Sequence, residues 1–221
     1  MLNPDRSTDA HWKRWAALAA VITWVFGVAC GCIYGIRYET TAAETEASAA
    51  HWPDTGLCVL STRHPTLVMF VHPRCPCSRA SLNELAWLVQ NCQGRVDMQI
   101  VFFQPSSSPA DWAKTESWDL ASSIPGAALR IDLDGIEQQR FGARASGEVF
   151  VYGTGGGLLF HGGITAARGH TGDSVGRSAV AAILNGRAPA AETSRVFGCD
   201  LNSFRAMSPG GEDAQEGTVG P

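Results

Sequence analysis

Charge is scarce in this 221-residue chain: 17% of its residues are charged, and the formal net charge is -4. Lysine is nearly missing, because every basic residue except Lys13 and Lys114 is an arginine, and the arginines are scattered rather than gathered into a stripe. That distribution gives no reason to expect nucleic acid, which needs a basic face. Internal repeats are absent, which excludes stacked-repeat architectures. The glycine-rich Gly153–Gly157 turn lacks the Gly-Lys-Ser/Thr ending of a phosphate loop, and Asp132–Glu137 fails the twelve-residue calcium spacing. There is no serine-hydrolase elbow, and no second close cysteine pair to complete a four-ligand structural zinc site. What the chain does have is glycine, 24 residues concentrated in its second half, so turns are expected there rather than long helices.

One long apolar run stands out. Ala16–Ile36 carries no charge, and 21 residues of helix span about 30 Å, the thickness of a bilayer's hydrocarbon core. Lys13 and Arg14 precede it, Trp12 and Trp15 sit at its interface, and Glu39, Glu44 and Glu46 follow. The basic side is expected to stay cytoplasmic, which puts residues 1–15 inside and everything after residue 36 outside, in a bacterial periplasm. A cleaved signal peptide would have an apolar stretch of only about 7–15 residues. A lipoprotein signal ending at Cys30 or Cys32 would show a leucine-led pattern that is not there. The run is therefore read as an uncleaved, single-pass inner-membrane anchor. Residues 37–50 follow as a small, acidic linker, 51–201 as the folded domain, and 202–221 as a disordered tail without apolar periodicity.

Within the domain, Thr66–Val71 is a continuous apolar run, as in a strand covered on both faces. From Ser78 to Val89, Leu82, Leu85, Ala86 and Val89 fall at helical spacing, with Ser81–Glu84 as a possible capping box and Ser78 as another cap. Val96–Phe103 reads as a second buried strand, so the three elements make a right-handed crossover unit. Ser108-Pro109-Ala110-Asp111 is expected to open a helix running to about Ile124. Glu148–Tyr152 and Leu158–His161 flank the glycine-rich turn as a hairpin. Asp173 is expected to cap a final helix ending at Gly186. The expected order is strand, helix, strand, helix, hairpin, helix.

Cys75-Pro76-Cys77 lies where the first strand hands over to the first helix. A thiolate is the nucleophile in thiol chemistry, and helix-terminal N–H groups and the helix dipole favour it. Arg74 and Arg79 are expected to act in the same direction, which makes Cys75 the preferred nucleophile and Cys77 its resolving thiol. Residues two apart overlap the Cα range of a disulfide, but the ring is small and Pro76 limits relief of strain, so such a bridge is easily reduced. The same sulfurs suit a soft ion such as Cu(I), with His72 or Cys199 as a third ligand. Exchange needs no cofactor, so copper is the alternative, and an inert binding module is the third reading. The exported part holds five cysteines (Cys58, Cys75, Cys77, Cys92 and Cys199), an odd number that leaves at least one thiol free or paired outside the chain. Val196, Phe197 and Leu201 suggest that the segment around Cys199 docks on the domain. A stabilising bridge from Cys199 to Cys58 or Cys92 is expected ahead of a pairing with Cys75.

Element order and cysteine placement together resemble the thioredoxin family, over about Thr66–Gly186. Phe70 lies five residues before Cys75, as the strand phenylalanine does before the attacking cysteine in that family. Ser78 stands where the second cysteine would be, and the His72-Pro73-Arg74-Cys75-Pro76-Cys77 segment with an amino-terminal anchor is similar to RedB-like proteins. The resemblance implies an α/β thioredoxin-like fold, a central mixed sheet flanked by helices. It also implies thiol–disulfide exchange with protein thiols or disulfides of the periplasm. The proline that thioredoxins place before the first hairpin strand is missing from Ala145-Ser146-Gly147. By the resemblance, Ser146 and Gly163 border the substrate groove, and Arg168 and His170 in the loop after the hairpin reach into it.

Overall fold

The computed structural model describes residues 6–44, 48–53, 56–92 and 95–201. The expected tail at 202–221 lies outside the described residues. The chain divides into two units, Met1–Thr41 and Ala42–Pro221.

The first unit is one helix, α1 (Arg6–Thr40, 35 residues), of which His11–Thr40 is long and apolar enough to cross a membrane. It outruns the apolar run of 16–36 at both ends because neither proline nor a breaking turn interrupts it there. Near its end the Thr40 hydroxyl donates to the Ile36 carbonyl at 2.7 Å.

In the second unit the linker is partly a docked strip rather than a free tether. Ala43 N–H donates to the Val196 carbonyl at 2.8 Å, and Ala50 carbonyl accepts from Leu158 N–H at 2.9 Å. The Tyr152 hydroxyl reaches the Ala49 carbonyl at 3.1 Å.

Five strands form one sheet. β1 (Thr66–Val71), β2 (Asp97–Gln104) and β3 (Ala127–Leu133) run parallel, while β4 (Glu148–Tyr152) and β5 (Leu158–Gly163) are antiparallel. Their order across the sheet is β3-β2-β1-β4-β5. Every residue of β1 is buried, because the strand is central and both its faces are covered. Leu67, Met69 and Val71 pack with Leu82, Leu85 and Leu88 of α2 (Ser78–Asn91) and with Val180 and Leu184 of α5 (Val175–Leu184). Val68 and Phe70 point the other way, into a cluster with Phe141, Phe150, Tyr152 and Leu201. This period-2 split is what a two-faced strand requires. The sheet and its helices form the thioredoxin-like fold that the resemblance implied.

Two expectations are corrected here. The helix expected to open at Ser108 begins only at Glu116, as α3 (Glu116–Ser122). Residues 108–115 are held instead as turns, because the Thr115 hydroxyl donates to the Pro73 carbonyl at 2.9 Å. Trp112 is likewise pinned edge-on to the His72 ring at 5.6 Å. An additional strand and helix, β3 and α4 (Ile136–Phe141), follow α3 where a turn alone was expected. The α4 helix starts after left-handed Gly135, and its Phe141 covers Phe70 at 5.3 Å between ring centres.

The expected caps also shift. Ser81 and Glu84 lie inside α2, whose N-cap is Cys77 without a side-chain cap bond. Ser174, not Asp173, caps α5 by accepting from Arg177 N–H at 3.0 Å, and Asp173 pairs with the Arg177 guanidinium instead.

Candidate active site

The buried end of β1 delivers the chain into a tight connection. Cys75 N–H donates to the His72 carbonyl at 3.1 Å, and Ser78 N–H donates to the Cys75 carbonyl at 3.1 Å. Side chains alternate through this connection: Cys75 and Cys77 are turned inward (2% and 6% exposed), whereas Arg74, Pro76 and Arg79 face solvent. Cys77 is the N-cap of α2. Both sulfurs therefore sit where the sequence placed them, at the strand-to-helix junction. Ser78, in the position of the family's second cysteine, is buried; its hydroxyl lies 2.7 Å from the Ser146 hydroxyl. Ser146 Oγ in turn accepts from His72 N–H at 2.8 Å, stitching the turn before β4 to the end of β1.

Cys199 is the principal surprise. Its sulfur lies 2.7 Å from Cys75 Sγ, and Cys75, Cys77 and Cys199 keep their sulfurs within 4.8 Å of one another. All three are free thiols. The expected bridge to Cys58 or Cys92 is thus overturned. Cys58 belongs to the Phe70 cluster, with its N–H bonded to Glu137 at 3.0 Å, and Cys92 closes α2. The signals that could have pointed to Cys199 were the odd thiol count and the apolar Val196 and Leu201, both of which are buried against the domain. Neither signal carries a distance.

The electrostatics divide the three sulfurs. Cys75 is lowered to about 5, first by the hydrogen bond from the Cys199 thiol, against burial, and further by the Cys199 backbone and the Ser78 hydroxyl. Cys199 is raised, first by that same bond and then by burial. Cys77 is raised by burial and by the neighbouring Cys75 charge, with Arg168 opposing. The two flanking arginines each have a partner of their own. Arg79 pairs with Glu116 at 3.2 Å, and the Arg74 guanidinium lies 4.7 Å from the centre of the Trp112 ring.

The residues expected to line a substrate groove are mostly taken up by the chain itself. Ser146 N–H donates to the Cys199 carbonyl at 2.8 Å. Arg168 Nη1 donates to the Gly198 carbonyl at 2.5 Å. Gly163 lies under Arg195 and Val196, where an added Cβ would stand 2.7 Å from the Arg195 carbonyl. His170 is exposed, and its Nδ1 lies 2.8 Å from the Arg168 carbonyl. An open cleft of about 370 Å³ borders Cys75 instead, between Pro73–Pro76, Arg79 and the start of α3 at Thr115–Ser117 and Leu120.

As a donor set, three clustered sulfurs suit a soft ion, and the cluster is Cys75, Cys77 and Cys199, with His72 outside it. Its Nδ1 accepts from Arg74 N–H at 3.1 Å and its ring is stacked against Phe103. Burial, then the Arg74 charge, lowers it to about 4.

No family model and no curated protein matches the chain. Solved structures do. A hypothetical protein from Sinorhizobium meliloti is 18% identical with a TM-score of 0.56, covering 71% of this chain and 96% of its own. An uncharacterized conserved protein from Geobacillus kaustophilus is 17% identical with a TM-score of 0.53, covering 73% and 92%. A secreted Mycobacterium tuberculosis disulfide oxidoreductase, homologous to DsbE of E. coli, is 17% identical with a TM-score of 0.36 over 45% of this chain and 68% of that one. The first two share the fold.

Proposed function

We propose that the protein is a membrane-anchored thiol–disulfide oxidoreductase whose Cys75-Pro76-Cys77 site faces the periplasm. One observation carries the reading: at the start of α2 the Cys75 sulfur lies 2.7 Å from a second sulfur, that of Cys199, and this contact lowers the Cys75 pKa. A thiolate that persists at neutral pH attacks disulfides, and a neighbouring thiol can then release the product. An open cleft of about 370 Å³ borders Cys75 and is the side from which a client's disulfide would approach. Placement in the bacterial inner membrane, with the carboxyl-terminal domain outside, rests on Lys13 and Arg14 before the apolar helix. The nearer likeness to RedB-like proteins rests on the His72–Cys77 segment.

Reduction of insulin and reshuffling of a scrambled disulfide protein test this, with Cys75→Ser as the control. Activity is expected for the wild type and none for the variant; equal behaviour would leave an inert binding module. The three-sulfur cluster favours a second reading, the binding of copper(I) by Cys75, Cys77 and Cys199. Metal analysis of anaerobically purified protein distinguishes it: stoichiometric copper, lost in Cys77→Ser, would favour delivery or storage of the ion over exchange.

A further inference from the structure

Residues 193–201 cross the carboxyl ends of the sheet as a strap with its own pairing pattern. Thr193 forms a parallel bridge with His161 at the free edge of β5, and Asp200 forms an antiparallel bridge with Ala145. Ser146 N–H bonds to the Cys199 carbonyl and Leu201 N–H to the Arg144 carbonyl, each at 2.8 Å. Gly198 is pressed so closely against Ser146 that a Cβ there would run into the Ser146 carbonyl. Arg168 clamps the Gly198 carbonyl from the other side. Val196 and Leu201, both 1% exposed, are buried anchors on either side of Cys199. The strap therefore fixes one sulfur in contact with Cys75, at 2.7 Å where a covalent bond is about 2.05 Å. No strap residue lines the cleft on the side of α3.

We infer that Cys199, delivered by this strap, is the resolving cysteine of Cys75, and that turnover closes a Cys75–Cys199 disulfide rather than one within Cys75-Pro76-Cys77. The inference rests on the exchange activity proposed above. In the first step the Cys75 thiolate attacks a client disulfide presented from the cleft. The Cys75–client bond forms, and the second client sulfur leaves with the electron pair and takes a proton from water. In the second step Cys199 gives up its proton and attacks Cys75 Sγ. The Cys75–Cys199 bond forms, and the first client sulfur leaves and takes the proton that Cys199 gave up. The client disulfide is reduced by two electrons to two thiols, and the Cys75/Cys199 pair is oxidised by the same two. Cys77 is the worse candidate: as the N-cap of α2 it is held in the strand-to-helix connection, and a bridge to Cys75 would close a small ring over Pro76.

The test uses the full chain in detergent, fully reduced and then exposed to limiting oxidised insulin, with free thiols alkylated and disulfides mapped by peptide mass spectrometry. Wild type is expected to show the Cys75–Cys199 bridge with Cys77 alkylated. Cys199→Ser keeps a hydroxyl donor but cannot resolve, so the insulin–Cys75 mixed disulfide accumulates; Cys77→Ser is expected to turn over without trapping. Gly198→Ala keeps all three cysteines but pushes the strap, and Cys199 with it, away from Ser146, so it is expected to lengthen the life of the mixed disulfide and reduce the yield of the bridge. A Cys75–Cys77 bridge, or trapping by Cys77→Ser instead of Cys199→Ser, overturns the inference while leaving exchange intact. Insulin thiols released by no form of the chain would overturn both.

Discussion

Acidification probes the packing directly beneath the site. His72 is fully buried, its ring stacked on Phe103 with 5.7 Å between centres and edge-on to Trp112. Burial first, and the Arg74 charge second, lower its pKa from 6.5 to about 4. In the unfolded chain the imidazole takes a proton near 6.5, whereas the folded chain refuses it down to about 4. The unfolded state thus binds more protons across that window, so stability is fully present above it and falls as the pH drops through it. The gap is worth about 3 kcal/mol, a large part of the total stability of about 5–15 kcal/mol usual for a domain. Urea unfolding of the detergent-solubilised chain, followed by tryptophan fluorescence at about pH 7 and about pH 4, measures it. His72→Asn is the control, because its side-chain carbonyl can still accept from Arg74 N–H but does not titrate. The wild type is expected to lose about 3 kcal/mol more than the variant between the two conditions. Parallel losses in the two proteins would refute the reasoning.

Alkylation by iodoacetamide should modify Cys75 ahead of Cys77, with a half-maximal rate near pH 5; Cys199→Ala is expected to move that midpoint upward, and Cys199→Ser to move it less. An unmoved midpoint in Cys199→Ala would show that the second thiol does not hold the anion. Ser146→Ala leaves the buried His72 N–H without its acceptor and should cost about 1–3 kcal/mol in denaturant unfolding. Gly176→Ala should destabilise the domain by about 1–3 kcal/mol or more, because a Cβ there meets the Gly163 carbonyl where α5 crosses β5; a wild-type midpoint would contradict that close approach.

The strands legible in the sequence were those whose burial leaves a period or an unbroken apolar run. β1, β2 and the β4–β5 hairpin were found within a residue or two, and α2 and α5 followed from their apolar stripes. β3 escaped because it is an edge strand whose first five residues are only half-buried, with Arg130 and Asp132 interrupting its pattern. The false helix at Ser108 shows the reverse error. Its local start signals were sound, but Trp112 and Thr115 are tied to His72 and Pro73, and tertiary contacts outweigh a first-turn preference of a fraction of a kcal/mol. At the site, the strand-to-helix position of Cys75 and Cys77 could be read because it is local. Cys199 could not, since its approach depends on backbone pairing between segments far apart in sequence.

That separation has a consequence for how the protein is made. Cys199 follows Cys75 by 124 positions, so the whole five-stranded sheet is synthesised before the partner sulfur of Cys75 exists. Until then the earlier sulfur lacks the hydrogen bond that lowers its pKa most. The contact exists only once residues 193–201 have paired with Ala145 and His161, so the environment of Cys75 depends on a segment laid down after the sheet.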